Sequence, residues 1–171
     1  MADLGFPVAP DDLTPEWWTT ALRSRAAVAD DVTVRSAQAE PIGVGVGILS
    51  LLWRITFEYE GTAGPATAVL KLPHTVEGAR ETAHAFRFYG REINFYREVA
   101  HRTPLGTAEA YATELDPATQ DFVLLMEDVG GRRQHDQLVG CPVDDAIVAV
   151  TELARHHAWA WEAPGLIAAD T

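Results

Sequence analysis

The amino-acid sequence predicts an α+β fold in which an antiparallel sheet is flanked by helices. The clearest observation is a period of two from Leu51 to Glu60, where apolar residues alternate with mostly polar ones, as in a strand with one buried face. A turn over 61–65 and a further strand pattern over 66–72 follow, so an antiparallel meander is expected. Apolar residues at intervals of three, four or seven over 76–101 then predict a long helix.

Two further helices are predicted, one towards each end of the chain. The first covers 11–30, with Thr14 placed to cap its N terminus and Pro15 suited to the first helical position. The second covers 143–161, where apolar residues recur along one face. Gly90 weakens the central helical pattern, which allows a break or an irregular start at that point.

Three shorter patterns complete the predicted sheet. An alternating run over 32–38 leads into a loop with glycine at alternate positions, which lets the backbone bend sharply and approach a ligand closely. At most a short strand is expected over 110–112, whereas the unbroken apolar run over 122–126 predicts a strand buried on both faces. The glycines of the loop are Gly43, Gly45 and Gly47.

Composition and charge argue against several classes of function. The formal net charge is -12 at pH 7, so no general affinity for nucleic acid or for an anionic membrane is expected, and the aromatic residues over 86–96 are assigned to the core. The N terminus lacks the features of a signal peptide, and no run approaches a membrane span. A single cysteine, Cys141, excludes an internal disulfide. We therefore expect a cytoplasmic protein with Cys141 as an inert buried thiol.

Lys71 is the only lysine among the 13 lysines and arginines, and it lies inside the predicted strand over 66–72. A strand interior is a poor place for an unpaired charge, so the residue needs an explanation. One interpretation is an edge-strand lysine whose ammonium group lies in water and protects the sheet from aggregation. The other is a compact point charge directed at a phosphate or a carboxylate.

The order of these features favours the second interpretation. A glycine hairpin, a lysine in the next strand, a helix with Glu92 and a buried strand that stops at a polar segment follow one another as in a protein-kinase-like nucleotide-binding lobe. In that arrangement Lys71 holds the α- and β-phosphates of ATP. The carboxylate of Glu92 pairs with the lysine, favours its charged form and orients it.

Several segments carry a more specific signal when they are taken in order. They include Ile-Gly-Val-Gly at 42–45, Val-Leu-Lys-Leu-Pro at 69–73, Arg-Glu-Ile-Asn-Phe-Tyr-Arg-Glu at 91–98, and Phe-Val-Leu-Leu-Met-Glu-Asp-Val at 122–129. In these segments the chain resembles the phosphotransferases related to aminoglycoside, choline and ecdysteroid kinases, and above all the bacterial proteins nearest the ecdysteroid-kinase-like group. The resemblance implies a protein-kinase-like N-terminal lobe with an αC-type helix, followed by the linker and the first helix of a C-terminal lobe.

The resemblance also implies roles for individual residues. The glycine loop and Val69 would cover the adenine, and Met126 would lie at the back of its pocket. The backbone carbonyl of Glu127 and the backbone amide of Val129 would bond the adenine edge, while the side chains after Met126 are also consistent with a solvated turn. ATP and Mg²⁺ are the implied cofactors, and the complete enzyme would transfer the γ-phosphoryl group of Mg-ATP to a hydroxyl group of a small molecule.

The chain departs from this family where the chemistry takes place. The family's catalytic aspartate lies in a His-Gly-Asp loop, and a later aspartate binds magnesium, whereas this sequence has no His-Gly-Asp and stops at Thr171. We therefore expect no catalytic residue and no metal ligand in the chain, no activity from it alone, and magnesium ligands from the missing C-terminal lobe. The expected division is an N-terminal helical segment over 1–31, a nucleotide-binding lobe over 32–129, and the linker and start of a truncated C-terminal lobe over 130–171.

Two other functions stay open at this point. A truncated or degenerate kinase could act without catalysis as a homodimer, because Trp159 and Trp161 on the last helix would leave an exposed apolar surface. An unrelated α+β binding domain would be indicated if Lys71 and Glu92 lay far apart.

Overall fold

A computed structural model describes residues 4–43, 48–61, 64–133, 135–136, 138–161 and 163. The chain divides into two compact units. One unit comprises Met1–Ile93 and Glu109–Asp128, and the other comprises Asn94–Ala108 and Val129–Thr171.

Within the described residues, the first unit is built around a five-stranded antiparallel sheet with the strand order β1-β2-β3-β5-β4. The first three strands form the expected meander, and β5 joins it beside β3. The strand expected over 110–112 is longer than predicted, because its hairpin with β5 pairs it as far as Leu115. The strands are β1 (Thr33–Ile42), β2 (Ser50–Glu60), β3 (Thr67–Pro73), β4 (Ala110–Leu115) and β5 (Phe122–Glu127).

The helices follow the predicted order, and the first and the central one differ from the predicted limits. The described helices are α1 (Pro15–Ser24), α2 (Glu77–Ala85), α3 (Phe88–Asn94) and α4 (Val143–Ala160), with a 3₁₀ turn at Pro10–Asp12 and a π-helical turn at Phe95–Val99. Among the described residues, no helix has the length and apolar character that crossing a membrane requires.

Helix α1 begins as the sequence predicts and ends early. The hydroxyl group of Thr14 accepts a hydrogen bond from the backbone N–H of Trp17 at 3.2 Å, and Pro15 occupies the first helical position. The prediction that this helix extends to residue 30 is wrong. It ends at Ser24 because Ala26 has a φ of +57°, a left-handed conformation that a right-handed helix cannot continue.

Replacing Thr14 by Ala should lower the free energy of unfolding by about 1 kcal/mol, because the backbone N–H of Trp17 loses its acceptor. The measurement is denaturant unfolding followed by tryptophan fluorescence, with Thr14→Ser as the control that keeps the hydroxyl group. Equal stability of the Ala variant and the wild type would contradict the capping role.

One face of the sheet forms the main core against α1. Trp18 of α1 meets Phe57 of β2 edge to face, with 5.5 Å between the ring centroids. Leu70 and Leu72 of β3 are fully buried in the same cluster. Because side chains alternate along a strand, Lys71 must lie on the opposite face of the sheet.

The long central helix predicted over 76–101 is interrupted, and the interruption is not at Gly90. Helix α2 ends before Arg87, whose φ is +54°, while Gly90 is buried inside α3. Phe86 and Phe88 flank the break, stack at 5.5 Å and are 59% and 41% exposed. The assignment of these two aromatic residues to the core is therefore wrong.

The second unit contains α4, which agrees with the predicted limits to within a residue, and none of its residues is buried. Among the described residues, polar contacts link it to the rest of the unit. Asp145 pairs with Arg133 at 2.6 Å and with His135 at 2.8 Å, and Nδ1 of His156 lies 2.7 Å from the hydroxyl oxygen of Thr103. Just before the helix, Cys141 is exposed, so the prediction of a buried thiol is wrong.

Candidate functional site

The sheet face opposite α1 is organised in rows across three strands. Arg54 of β2 lies beside Val69 of β3, which lies beside Met126 of β5. In the next row Lys71 separates Leu52 from Leu124. Residues paired in antiparallel strands point to the same face, so both rows lie on the face that carries the lysine.

Helix α3 covers one end of this face. The ring of Tyr89 packs on that of Phe122, with 4.6 Å between centroids, and Ile93 is fully buried. The hydroxyl group of Tyr89 donates to the backbone carbonyl of Leu49, and burial raises the pKa of this tyrosine. Helix α3 is therefore fixed both to the sheet and to the backbone of Leu49, just before β2.

This packing brings Glu92 of α3 to Lys71. The Nζ atom of Lys71 lies 2.7 Å from each carboxylate oxygen of Glu92. The two side chains are 19% and 30% exposed, so the pair is largely covered and still open on one side. The interpretation of Lys71 as an edge-strand lysine is wrong, because β3 lies between β2 and β5. A large distance between Lys71 and Glu92 would have indicated an unrelated α+β binding domain, and the two side chains are instead in contact.

Only part of the predicted glycine loop can be placed. Gly43 follows β1 directly and has a φ of +64°, a conformation that favours glycine. Apart from its two chain neighbours, no atom of the described residues lies within 4 Å of the position that a Cβ atom would take there, so the constraint is the backbone conformation itself. Gly45 and Gly47 lie outside the described residues.

The chain at the end of β5 is held by two kinds of contact. The backbone N–H of Glu127 donates to the carbonyl of Glu109 at 2.8 Å, and the backbone N–H of Glu109 donates to the Oε2 atom of Glu127 at 3.2 Å. The next residue, Asp128, accepts a hydrogen bond from Nε of Arg54 at 2.6 Å. Val129 is the first residue of this stretch in the second unit, and its carbonyl accepts from the backbone N–H of Arg132 at 2.9 Å.

The pair of Arg54 and Asp128 is the part of the site that sequence reasoning missed. The side chain of Asp128 is only 9% exposed, so the interpretation of this residue as part of a solvated turn is wrong. The hydrogen bond to Asp128 raises the pKa of Arg54, and the nearby charges of Asp128 and Glu40 act in the same direction. The sequence contains one indication of this role, because the alternation of β2 places Arg54 on the less apolar face of that strand.

The described residues contain no group of three or more His, Cys, Asp or Glu side chains that could hold a metal ion. The site consists of a cation and its carboxylate partner beside the apolar side chains of Val69 and Met126, with the anchored backbone of Glu127 and Asp128 directly after Met126. Such an arrangement can bind an anionic group next to a flat apolar one.

An α+β fold with a five-stranded antiparallel sheet and flanking helices is compatible with the N-terminal lobe of a kinase-like phosphotransferase. The chain belongs to the ecdysteroid kinase-like family, whose sequence model matches residues 45–163. This is a family of protein-kinase-like phosphotransferases, as the sequence resemblance implied. No match is found among curated proteins or among solved structures.

Proposed function

We propose that the first unit binds ATP and that the complete enzyme transfers the γ-phosphoryl group of Mg-ATP to a hydroxyl group of a small molecule. The observation that carries the proposal is the pair of Lys71 and Glu92. Glu92 holds the ammonium group in place, and the partial exposure of Lys71 leaves it accessible to the oxygens of a phosphate. Membership of a kinase-like family supports the same role.

The adenine would lie on the apolar row beside this pair. Val69 and Met126 are neighbours across β3 and β5, and Met126 is partly exposed. The side chain of Glu127 accepts a hydrogen bond from the backbone N–H of Glu109. The proposed contact with the adenine edge uses the backbone carbonyl of Glu127, as the family resemblance implies. The glycine loop and the amide of Val129 complete the proposed contacts on the strength of the family resemblance.

The chemical step requires groups beyond those of the proposed nucleotide site. The sequence contains no His-Gly-Asp, and we propose that the catalytic aspartate and the magnesium ligands belong to a second lobe of the complete enzyme. In this proposal 1–31 is an N-terminal helical segment, 32–129 is the nucleotide-binding lobe, and 130–171 is the linker and the start of the second lobe. The chain alone then binds nucleotide without transferring phosphate. The proposed location is the cytoplasm, where ATP is abundant.

A calorimetric titration of the full chain with ATP and Mg²⁺ tests this function. We expect saturable binding of ATP with one site per chain, competition by adenosine, and no release of phosphate during the experiment. Absence of ATP binding at millimolar concentration would contradict the proposal.

Self-association is a second candidate function, and α4 is the observation that favours it. The apolar residues Ile147 and Val150 of α4, and Trp161 directly after the helix, are 58%, 65% and 79% exposed. Together with Val143 and Ala154 they recur at spacings of three, four and seven, which is the pattern of a helix that pairs with another helix. The proposed partner is α4 of a second copy.

Light scattering tests this second candidate. A dimer that becomes a monomer in Val150→Glu supports it, whereas a wild-type monomer at high concentration contradicts it. Thr151→Glu, which adds the same charge beside the apolar stripe, is the matched control.

A further inference from the structure

The peptide group that joins Glu127 to Asp128 is anchored at both of its ends. Glu127 is fixed to Glu109 by its backbone N–H at 2.8 Å and by its side chain at 3.2 Å. Asp128 is fixed to Arg54 by a hydrogen bond of 2.6 Å between charged groups. Because the peptide group is planar, the direction of the Glu127 carbonyl depends on two torsion angles, ψ of Glu127 and φ of Asp128. The anchors on both residues restrict these angles.

The anchor on Asp128 comes from a distant strand. Arg54 lies on β2, and β3 separates that strand from β5. Neighbouring strands are about 4.8 Å apart, so the side chain spans roughly 10 Å of the sheet. Only a long side chain can bridge that distance, and the guanidinium group adds a charge that persists at every physiological pH.

The position of Arg54 in the sheet indicates whether it would affect the binding of the base or of the phosphates. It lies in the row of Val69 and Met126, the row proposed for the adenine, whereas Lys71 lies in the next row. Its Nε atom is bound to a carboxylate that is 9% exposed, and the arginine side chain is 36% exposed. The contact therefore belongs to the base end of the proposed site.

We infer that Arg54 is a positioning residue for the adenine base. By holding Asp128, it orients the backbone carbonyl of Glu127 towards the adenine edge. This inference rests on the proposed ATP-binding function, and it adds a residue that acts on the base through Asp128.

The test compares the affinities for adenosine and for ATP in Arg54→Met, Asp128→Asn and the wild type. Arg54→Met should weaken both ligands by the same factor, about fivefold, because one neutral hydrogen bond to the base is misdirected. Asp128→Asn should lose less affinity, since its amide oxygen can still accept from Arg54. Arg35→Met, which removes an exposed arginine of β1, serves as the matched control and should bind as the wild type does.

The possible outcomes separate the inference from the function on which it rests. If Arg54→Met weakens ATP but not adenosine, Arg54 acts on the phosphates and the inference is overturned. Unchanged affinities in both Arg54 and Asp128 variants, with a wild type that binds, also overturn it. A wild type that binds neither ligand refutes the ATP function and the positioning role together. Equal melting temperatures of Asp128→Asn and the wild type ensure that affinity loss in that variant is not loss of folding.

Discussion

Replacing Lys71 by Met should weaken ATP binding by about ten- to a hundredfold and leave adenosine binding unchanged. Hydrogen bonds to charged groups contribute about 1.5–3 kcal/mol, and each 1.4 kcal/mol is about a factor of ten in affinity. The loss concerns only the phosphates, because Lys71 lies in a different row of the sheet from Val69 and Met126. The measurement is a pair of titrations, one with ATP and one with adenosine.

Two further variants make the Lys71 result specific. Glu92→Gln keeps the shape of the partner and removes its charge, so it should weaken ATP binding less than Lys71→Met does. Arg91→Met removes an exposed cation from the same helix and should leave both affinities unchanged. Equal ATP affinity of Lys71→Met and the wild type would exclude Lys71 from the nucleotide site.

Replacing Phe122 by Ala should lower the free energy of unfolding by about 3–5 kcal/mol. Phe122 is fully buried, and its ring packs on Tyr89 of α3 at 4.6 Å between centroids. The substitution leaves a cavity between the sheet and the helix that carries Glu92. Denaturant unfolding monitored by circular dichroism gives the change in free energy.

A matched control for this substitution lies on the break between α2 and α3. Phe86 is 59% exposed, so Phe86→Ala removes an equal number of atoms with little loss of burial and should change the stability by less than about 1 kcal/mol. Similar losses in the two variants would contradict the account of how α3 is held on the sheet.

The sequence predicts the part of the site that depends on local pattern. Alternation along β3 places Lys71 on the face of Val69 and opposite Leu70 and Leu72, and the structure agrees. The unbroken apolar run of β5 predicts its burial, and four of its residues, Phe122 to Leu125, are fully buried. In β3 the period of two follows from the burial of one face. In β5 the absence of a period follows from the burial of both faces.

The rest of the site and of the fold depends on interactions that a local sequence pattern does not contain. Arg54 and Asp128 are separated by 74 positions, and neither strand pattern states that the two side chains meet. The break at Arg87 requires a left-handed conformation in a residue that usually avoids it, and helical periodicity carries no such signal.

The most direct test of the central claim uses the fact that Lys71 is the only lysine in the chain. Protein prepared with isotope-labelled lysine gives a single lysine side-chain signal in an NMR spectrum, and no assignment is needed. We expect this signal to shift in a saturable way with ATP and with tripolyphosphate, and to stay in place with adenosine. A signal that does not move at ATP concentrations that saturate the chain would contradict the assignment of Lys71 to the phosphates.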